Sequence, residues 1–185
     1  MRTQRAKQSN HALRRGDMRI VMKLLELYDA CLKNAESLLE EARLLFRNGF
    51  FPRAFALAHT GWEEIGKAQL VGDFLNEMVS QEEFEQAFKD HKLKSAYNWR
   101  RFVLNPDNIA DSTIEYDRSK ATNAFEKRQA AFYVQKKEDY VPVIPSQQVS
   151  RQEAAAVIDA LMKELTQIRE FDAMNERVGS ASFPK

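Results

Sequence analysis

Between Ile20 and Phe46 an apolar residue returns every three or four positions: Ile20, Leu24, Leu27, Tyr28, Cys31, Leu32, Ala35, Leu38, Leu39, Ala42, Leu45 and Phe46. That spacing matches the period of an α-helix and not the alternation of a strand. Asn48-Gly49 then supplies a C-terminal stop. A single helix of this length cannot cover its own apolar stripe, so the rest of the chain has to supply partners for it.

Those partners read as further helices. A second begins at Pro52, suited to a first helical turn, and runs to about Val79. Ser80-Gln81-Glu82-Glu83 has the form of a capping box and predicts a third helix from there to Asn105-Pro106. After a polar connection over 107–113, a fourth helical stretch covers about 114–137. The proline-bounded segment near 139–149 reads as extended. Ser150-Arg151-Gln152-Glu153, a second capping box, opens a last helix with Ala154, Val157, Ile158, Leu161, Leu165 and Ile168 on one side. The expected fold class is all-α, a single bundle of about five helices over residues 20–178, with a basic flexible arm at 1–19 and a flexible tail at 179–185.

Composition narrows the function classes. In 185 residues, 44% are hydrophobic and 30% charged, and the net charge is +1, so no global field favours nucleic acid. The positive charge that exists is concentrated in the arm, where Arg2, Arg5, Lys7, Arg14, Arg15, Arg19 and Lys23 face only Asp17. One cysteine, Cys31, rules out an intrachain disulfide and a cysteine-based zinc site. No apolar run approaches the roughly 18 residues of a membrane span, so the expected location is cytoplasmic and the expected partners do not include a membrane.

Gly61-Trp62-Glu63-Glu64-Ile65-Gly66-Lys67-Ala68 fits seven positions of the phosphate-loop pattern but places Ala68 where a magnesium-binding hydroxyl belongs. It also sits inside a helix, where backbone N–H groups are already engaged, and sets two carboxylates where phosphates would lie. A nucleotide site is therefore not expected. On a helical wheel Ala54, Ala58, Gly61, Ile65, Ala68 and Gly72 form a face of small residues that invites close approach by another helix. Glu64 borders that face, and a buried carboxylate needs a partner. Phe84, Phe88, His91, Ser95 and Phe102 fall on one line of the third helix, so His91 is expected to be partly buried, flanked by Lys92 and Lys94.

Arg53, Ala54, Leu57, Ala58 and Glu63 to Ala68, then His91, Lys92 and Lys94, then Arg128, Tyr133 and Val134 together trace R-A-x-x-L-A-x-x-x-x-E-E-I-G-K-A, H-K-x-K and R-x-x-x-x-Y-V. In that order the motifs resemble the AbiV family of bacterial abortive infection proteins, a branch of the HEPN helical superfamily, over about residues 25–145. The resemblance implies an all-helical, dimeric protein that acts in phage defence through RNA cleavage or translation arrest, with RNA as substrate and a phage-encoded protein as activator. Many HEPN ribonucleases carry R-x4-6-H. Arg53 with His59 and Arg5 with His11 have that spacing, but with 15 Arg and three His it is expected by chance. Arg53 and His59 also lie about 120° apart on the wheel, poorly placed to converge on one phosphate.

The expected polar cluster is Glu64, Lys67, His91, Lys94 and Arg128 as catalytic groups, with Glu63, Lys92 and Tyr133 close by for substrate binding. Lys67, Lys94 and Arg128 would neutralise a phosphodiester while His91 or Glu64 moves the 2′-OH proton, with no metal and no cofactor. The competing reading is a non-catalytic interaction protein in which the same charges fix helix register. A ferritin-like di-metal site needs E-x-x-H pairs, and the sequence has none. For the dimer, the expected interface is the small-residue face or the long first helix.

Overall fold

The computed structural model describes residues 18–91, 100–103, 113–116, 118–136 and 138–173. Helix α1 (Met18–Arg47) buries Leu24, Tyr28, Cys31, Leu32, Ala35, Leu39 and Ala42 along the stripe that its sequence marks out. It closes on Gly49 at φ 81°, with Gly49 N–H donating to Phe46 O and Phe50 N–H to Leu45 O. These are the paired bonds of a Schellman motif, and a Cβ at Gly49 would meet no atom of the described residues within 4 Å, so backbone conformation rather than space selects glycine here.

Helix α2 (Phe51–Leu75) starts with Pro52 in its first turn and runs through the middle of the molecule, with 16 of its 25 residues buried. Burial on almost every side marks it as the element the others pack around. Its small-residue face is filled from within the chain: a Cβ on Gly61 would lie 2.7 Å from Leu161 Cδ2 and 3.5 Å from Ala35 O. This face therefore cannot be the two-fold interface expected of it, because α1 and the last helix already occupy it.

Helix α3 (Gln81–Lys89) has the predicted capping box, with Glu83 N–H donating to Ser80 Oγ at 3.2 Å and Ser80 N–H to Glu83 Oε2 at 2.8 Å. Phe84 stacks on Phe74 of α2, ring centres 4.5 Å apart. The helix ends at Lys89, where Asp90 turns to an extended conformation (φ −89°, ψ 117°); His91 is helical again, residues 92–99 and 104–105 of the expected helix lie outside the described residues, and 100–103 form a strand, so the single helix expected to reach Asn105 is interrupted. Downstream, strands β1 (Arg100–Val103) and β2 (Thr113–Tyr116) pair antiparallel, Arg100 opposite Tyr116 and Val103 opposite Thr113. The expected fourth helix at 114–137 is thus strand first, then α4 (Arg118–Phe132).

Beyond α4 the expected extended segment is a small hairpin. Strands β3 (Gln135–Lys136) and β4 (Pro142–Val143) pair antiparallel around a 3-10 turn at Glu138–Tyr140. Pro145 then opens a one-turn helix, α5 (Pro145–Gln148), where continued extension was expected. Helix α6 (Arg151–Ala173) begins with the second predicted capping box, Ser150 with Glu153. It runs antiparallel to α1, as Arg43 contacts Met162 and Arg169 pairs with Glu36 at 2.7 Å. The main core lies among α1, α2 and α6, with Leu32, Ile65, Leu70, Val71 and Leu161 fully buried. A second cluster of Phe55, Ala56, Ala131, Val149 and Ala154 joins α2 to the end of α4 and the start of α6. The chain is nearly all-α, a helical bundle as its periodicity predicts. The expected arm, up to residue 17, and the tail at 179–185 fall outside the described residues.

Candidate functional site: a buried carboxylate under an exposed histidine

Glu63 and Glu64 are neighbours on α2, and the helical step of about 100° sends them to different places. The Glu63 side chain is only 4% exposed and faces α4. Its Oε2 accepts from His91 Nδ1 at 3.2 Å and lies 3.4 Å from Arg128 Nη1. Its Oε1 is 4.0 Å from His59 Nδ1, one turn earlier on α2. Phe125, one turn before Arg128 on α4, packs beside the guanidinium at 5.1 Å and the His91 ring at 6.2 Å.

The three positive or neutral partners of Glu63 differ in access. Arg128 is buried, so its charge is held in place against the carboxylate. Removing either member alone would strand a buried charge, which costs more than the intact pair contributes. His59 is 4% exposed, and burial, aided by the Arg128 charge, pushes its pKa down to about 4. It is neutral near pH 7, and among the described residues neither of its ring nitrogens has a hydrogen-bond partner, nor does Arg128 Nε. His91 is the outward member, its side chain 56% exposed. The aromatic line on which it was placed is interrupted at Asp90, and the ring keeps partial cover through its Nδ1 contact with buried Glu63.

Glu64 turns toward α1 and α3. Its carboxylate meets Lys67 Nζ at 2.5 Å and the Cys31 thiol, whose pKa burial first and then the Glu64 charge push up to about 11. The Lys67 ammonium also lies 5.8 Å from the centre of the Phe88 ring. A thiol so protonated is a weak nucleophile. Of the sequence-predicted residues, then, Arg128, His91 and Glu63 come together, while Glu64 and Lys67 form a separate pair. Tyr133 is exposed just past the end of α4, and Lys92 and Lys94 lie outside the described residues. Arg53 is exposed and His59 buried, so that pair does not converge, as its wheel angle predicts. His59 was set aside with Arg53. The signal that would have kept it is its i,i+4 spacing to Glu63.

The model of the AbiV family, a HEPN-type domain, matches residues 23–164. The chain belongs to the AbiV family. No curated protein and no solved structure matches it. As an AbiV protein it is an abortive-infection protein, and Glu63, His59, His91 and Arg128 all fall inside the matched span. Among the described residues of this AbiV chain, no three His, Cys, Asp or Glu side chains gather as a metal site, and no helix is long and apolar enough to cross a membrane.

Proposed function

We propose that the protein arrests infected cells as a metal-independent endoribonuclease working through His91, Glu63 and Arg128. The observation that carries this reading is an exposed imidazole held at 3.2 Å by a carboxylate that is itself buried. Because a carboxylate accepts, the Glu63 contact keeps the proton on His91 Nδ1 and leaves the Nε2 lone pair for the substrate. Nε2 would take the 2′-OH proton of RNA as the 2′-oxygen attacks the adjacent phosphorus. The P–O5′ bond breaks, the 5′-oxygen leaves with a proton from water, and a 2′,3′-cyclic phosphate remains. Arg128 holds the Glu63 carboxylate in place, and Lys92 and Lys94, next to His91 in sequence, supply cations for the phosphate.

Glu64 and Lys67 take a different part in this reading. Their contacts with each other and with Cys31 support a structural tie between α1, α2 and α3 rather than a catalytic role. The alternative for the whole chain, a non-catalytic interaction protein, draws on the same burial at Glu63 and Arg128. A family-type partnership with a phage-encoded activator is compatible with either.

The test is cleavage of purified RNA by the full chain. Activity is expected to persist in EDTA, to fall as salt rises because lysine contacts to phosphate release counterions, and to leave 2′,3′-cyclic ends. His91→Ala should abolish it and Glu63→Gln should reduce it about a hundredfold or more, in line with general-base catalysis. Cleavage that stops in chelator and returns with magnesium, or that is unchanged in His91→Ala, would overturn the proposal. Growth arrest retained by a folded His91→Ala would favour the interaction protein.

A further inference from the structure

One buried polar side chain takes no part in the proposed chemistry. His59 lies one helical turn before Glu63 on α2 and is buried, so it cannot touch RNA. Among the described residues neither of its ring nitrogens has a hydrogen-bond partner. Phe55, a turn earlier, packs with its ring centre 6.1 Å away, and an apolar side chain would suit that neighbour equally well. A buried polar group without a partner is unfavourable, and in a native fold it calls for an explanation in strain or in catalysis.

Its surroundings supply one. His59 Nδ1 is 4.0 Å from Glu63 Oε1, on the carboxylate whose other oxygen holds His91 Nδ1 at 3.2 Å. The gap is about 1 Å longer than an N–H···O hydrogen bond. Catalytic contacts are often that long in a free enzyme and shorten when substrate is engaged. His59 is neutral near pH 7, so its ring has one N–H and one lone pair. A carboxylate only accepts, which sets the N–H on Nδ1 and leaves the lone pair on Nε2. Arg128, whose charge bears on His59, has in its Nε–H a donor without a partner among the described residues, and that donor matches the remaining lone pair.

We infer that His59 is a positioning residue that closes its Nδ1–H onto Glu63 Oε1 as His91 takes up the 2′-OH proton, and so keeps that proton on His91; this rests on the ribonuclease reading and adds a residue to it. Once His91 Nε2 has gained the proton, the ring carries two N–H groups and a positive charge. Were its Nδ1 proton then to pass to Glu63, His91 would be left neutral with Nε2 protonated and Nδ1 bare. That form has no lone pair on Nε2 for the next 2′-OH. Hydrogen bonds to an ionised carboxylate favour the ionised form. Arg128 offers one at Oε2, and His59 adds another at Oε1.

Nitrogen-15 NMR of the full chain at pH 7, with the three histidines told apart by His11→Gln and His91→Gln, reads the tautomer directly. His59 should carry its proton on Nδ1, against the Nε2–H form that a free histidine side chain favours. In RNA cleavage His59→Leu should lower kcat about tenfold or more at unchanged KM, the size of effect seen when a group that orients a functional side chain from behind is removed. His59→Asn, whose amide N–H falls near the place of Nδ1, should restore most of the rate. His59→Gln, whose amide reaches toward the place of Nε2, should not. A purely structural role would neither separate those two amides nor leave KM untouched. A proton on Nε2 of His59, a wild-type rate in His59→Leu, or equal rates in the two amide variants would each overturn the inference while leaving His91 as the base. Wild-type protein that cuts no RNA would overturn both.

Discussion

Replacing Arg128 with methionine keeps much of the side-chain volume and removes the cation that faces Glu63. At 3.4 Å and an effective dielectric of about 20, the lost attraction is about 5 kcal/mol before compensation. Part of that is recovered, since His91 stays 3.2 Å from the same carboxylate and a guanidinium no longer has to be kept from water. The expected net loss is about 3–5 kcal/mol, the range seen when a buried pair is broken from one side. For a chain of this size that corresponds to a fall in Tm of about 6–20 °C. Glu63→Gln in the same background removes the stranded charge, so the double variant should recover about 2 kcal/mol or more. Urea unfolding followed by far-ultraviolet circular dichroism of the four proteins closes the cycle. A single-variant cost below about 1 kcal/mol, or double-variant energies that add within about 0.5 kcal/mol, would refute the view that these two charges hold each other.

Acid should expose His59. Its folded pKa of about 4 lies below the ordinary histidine value of 6.5, so the stability it reflects is complete above pH 6.5 and is lost as pH falls toward 4, by up to about 3 kcal/mol. His59→Leu should flatten that slope while costing little at pH 7, because neither ring nitrogen has a partner among the described residues; an unchanged slope would argue against this origin. The Glu153 carboxyl, held down to about 2 chiefly by Lys127 and then by Ser150, falls in a separate window, present above about 4.5 and lost below it. Gly61→Val should destabilise by about 2 kcal/mol through contact with Leu161, and Leu161→Ala should relieve part of it, which denaturant titration would reveal as less-than-additive loss. Gly49→Ala should cost about 1 kcal/mol although nothing crowds it, and an unchanged unfolding midpoint would show that the left-handed cap is not needed.

What the sequence made legible were features written locally. The stripe from Ile20 to Phe46, the stop at Asn48-Gly49 and the two serine capping boxes each depend on residues within a turn or two, and the structure has all of them. The run from Phe84 through His91 to Phe102 failed for a physical reason: helical spacing can persist by coincidence across a break when no glycine or proline announces it. Asp90 leaves the helix in an ordinary extended conformation, which any residue adopts. In the site, Arg128, His91 and Glu63 were named from motif and resemblance, but their convergence is tertiary. The sequence could not say which of two adjacent glutamates faces α4, and with that undecided His59 had no visible partner.

That doublet has a consequence for how α2 tolerates length changes. Deleting one residue between His59 and Glu63 would turn the downstream helix back by about 100° and move Glu64 into the place of Glu63, so His91 and Arg128 would still meet a carboxylate. Ile65 would then stand in the place of Glu64, beside Cys31 and without a charge for Lys67. Inserting one residue at the same point would bring Trp62 under His91 instead. The two frameshifts of the helix face are therefore unequal. Either change turns the downstream core residues Ile65, Leu70 and Val71 by about 100° and so costs stability, but the one-residue loss keeps a carboxylate beneath the imidazole and the one-residue gain removes it.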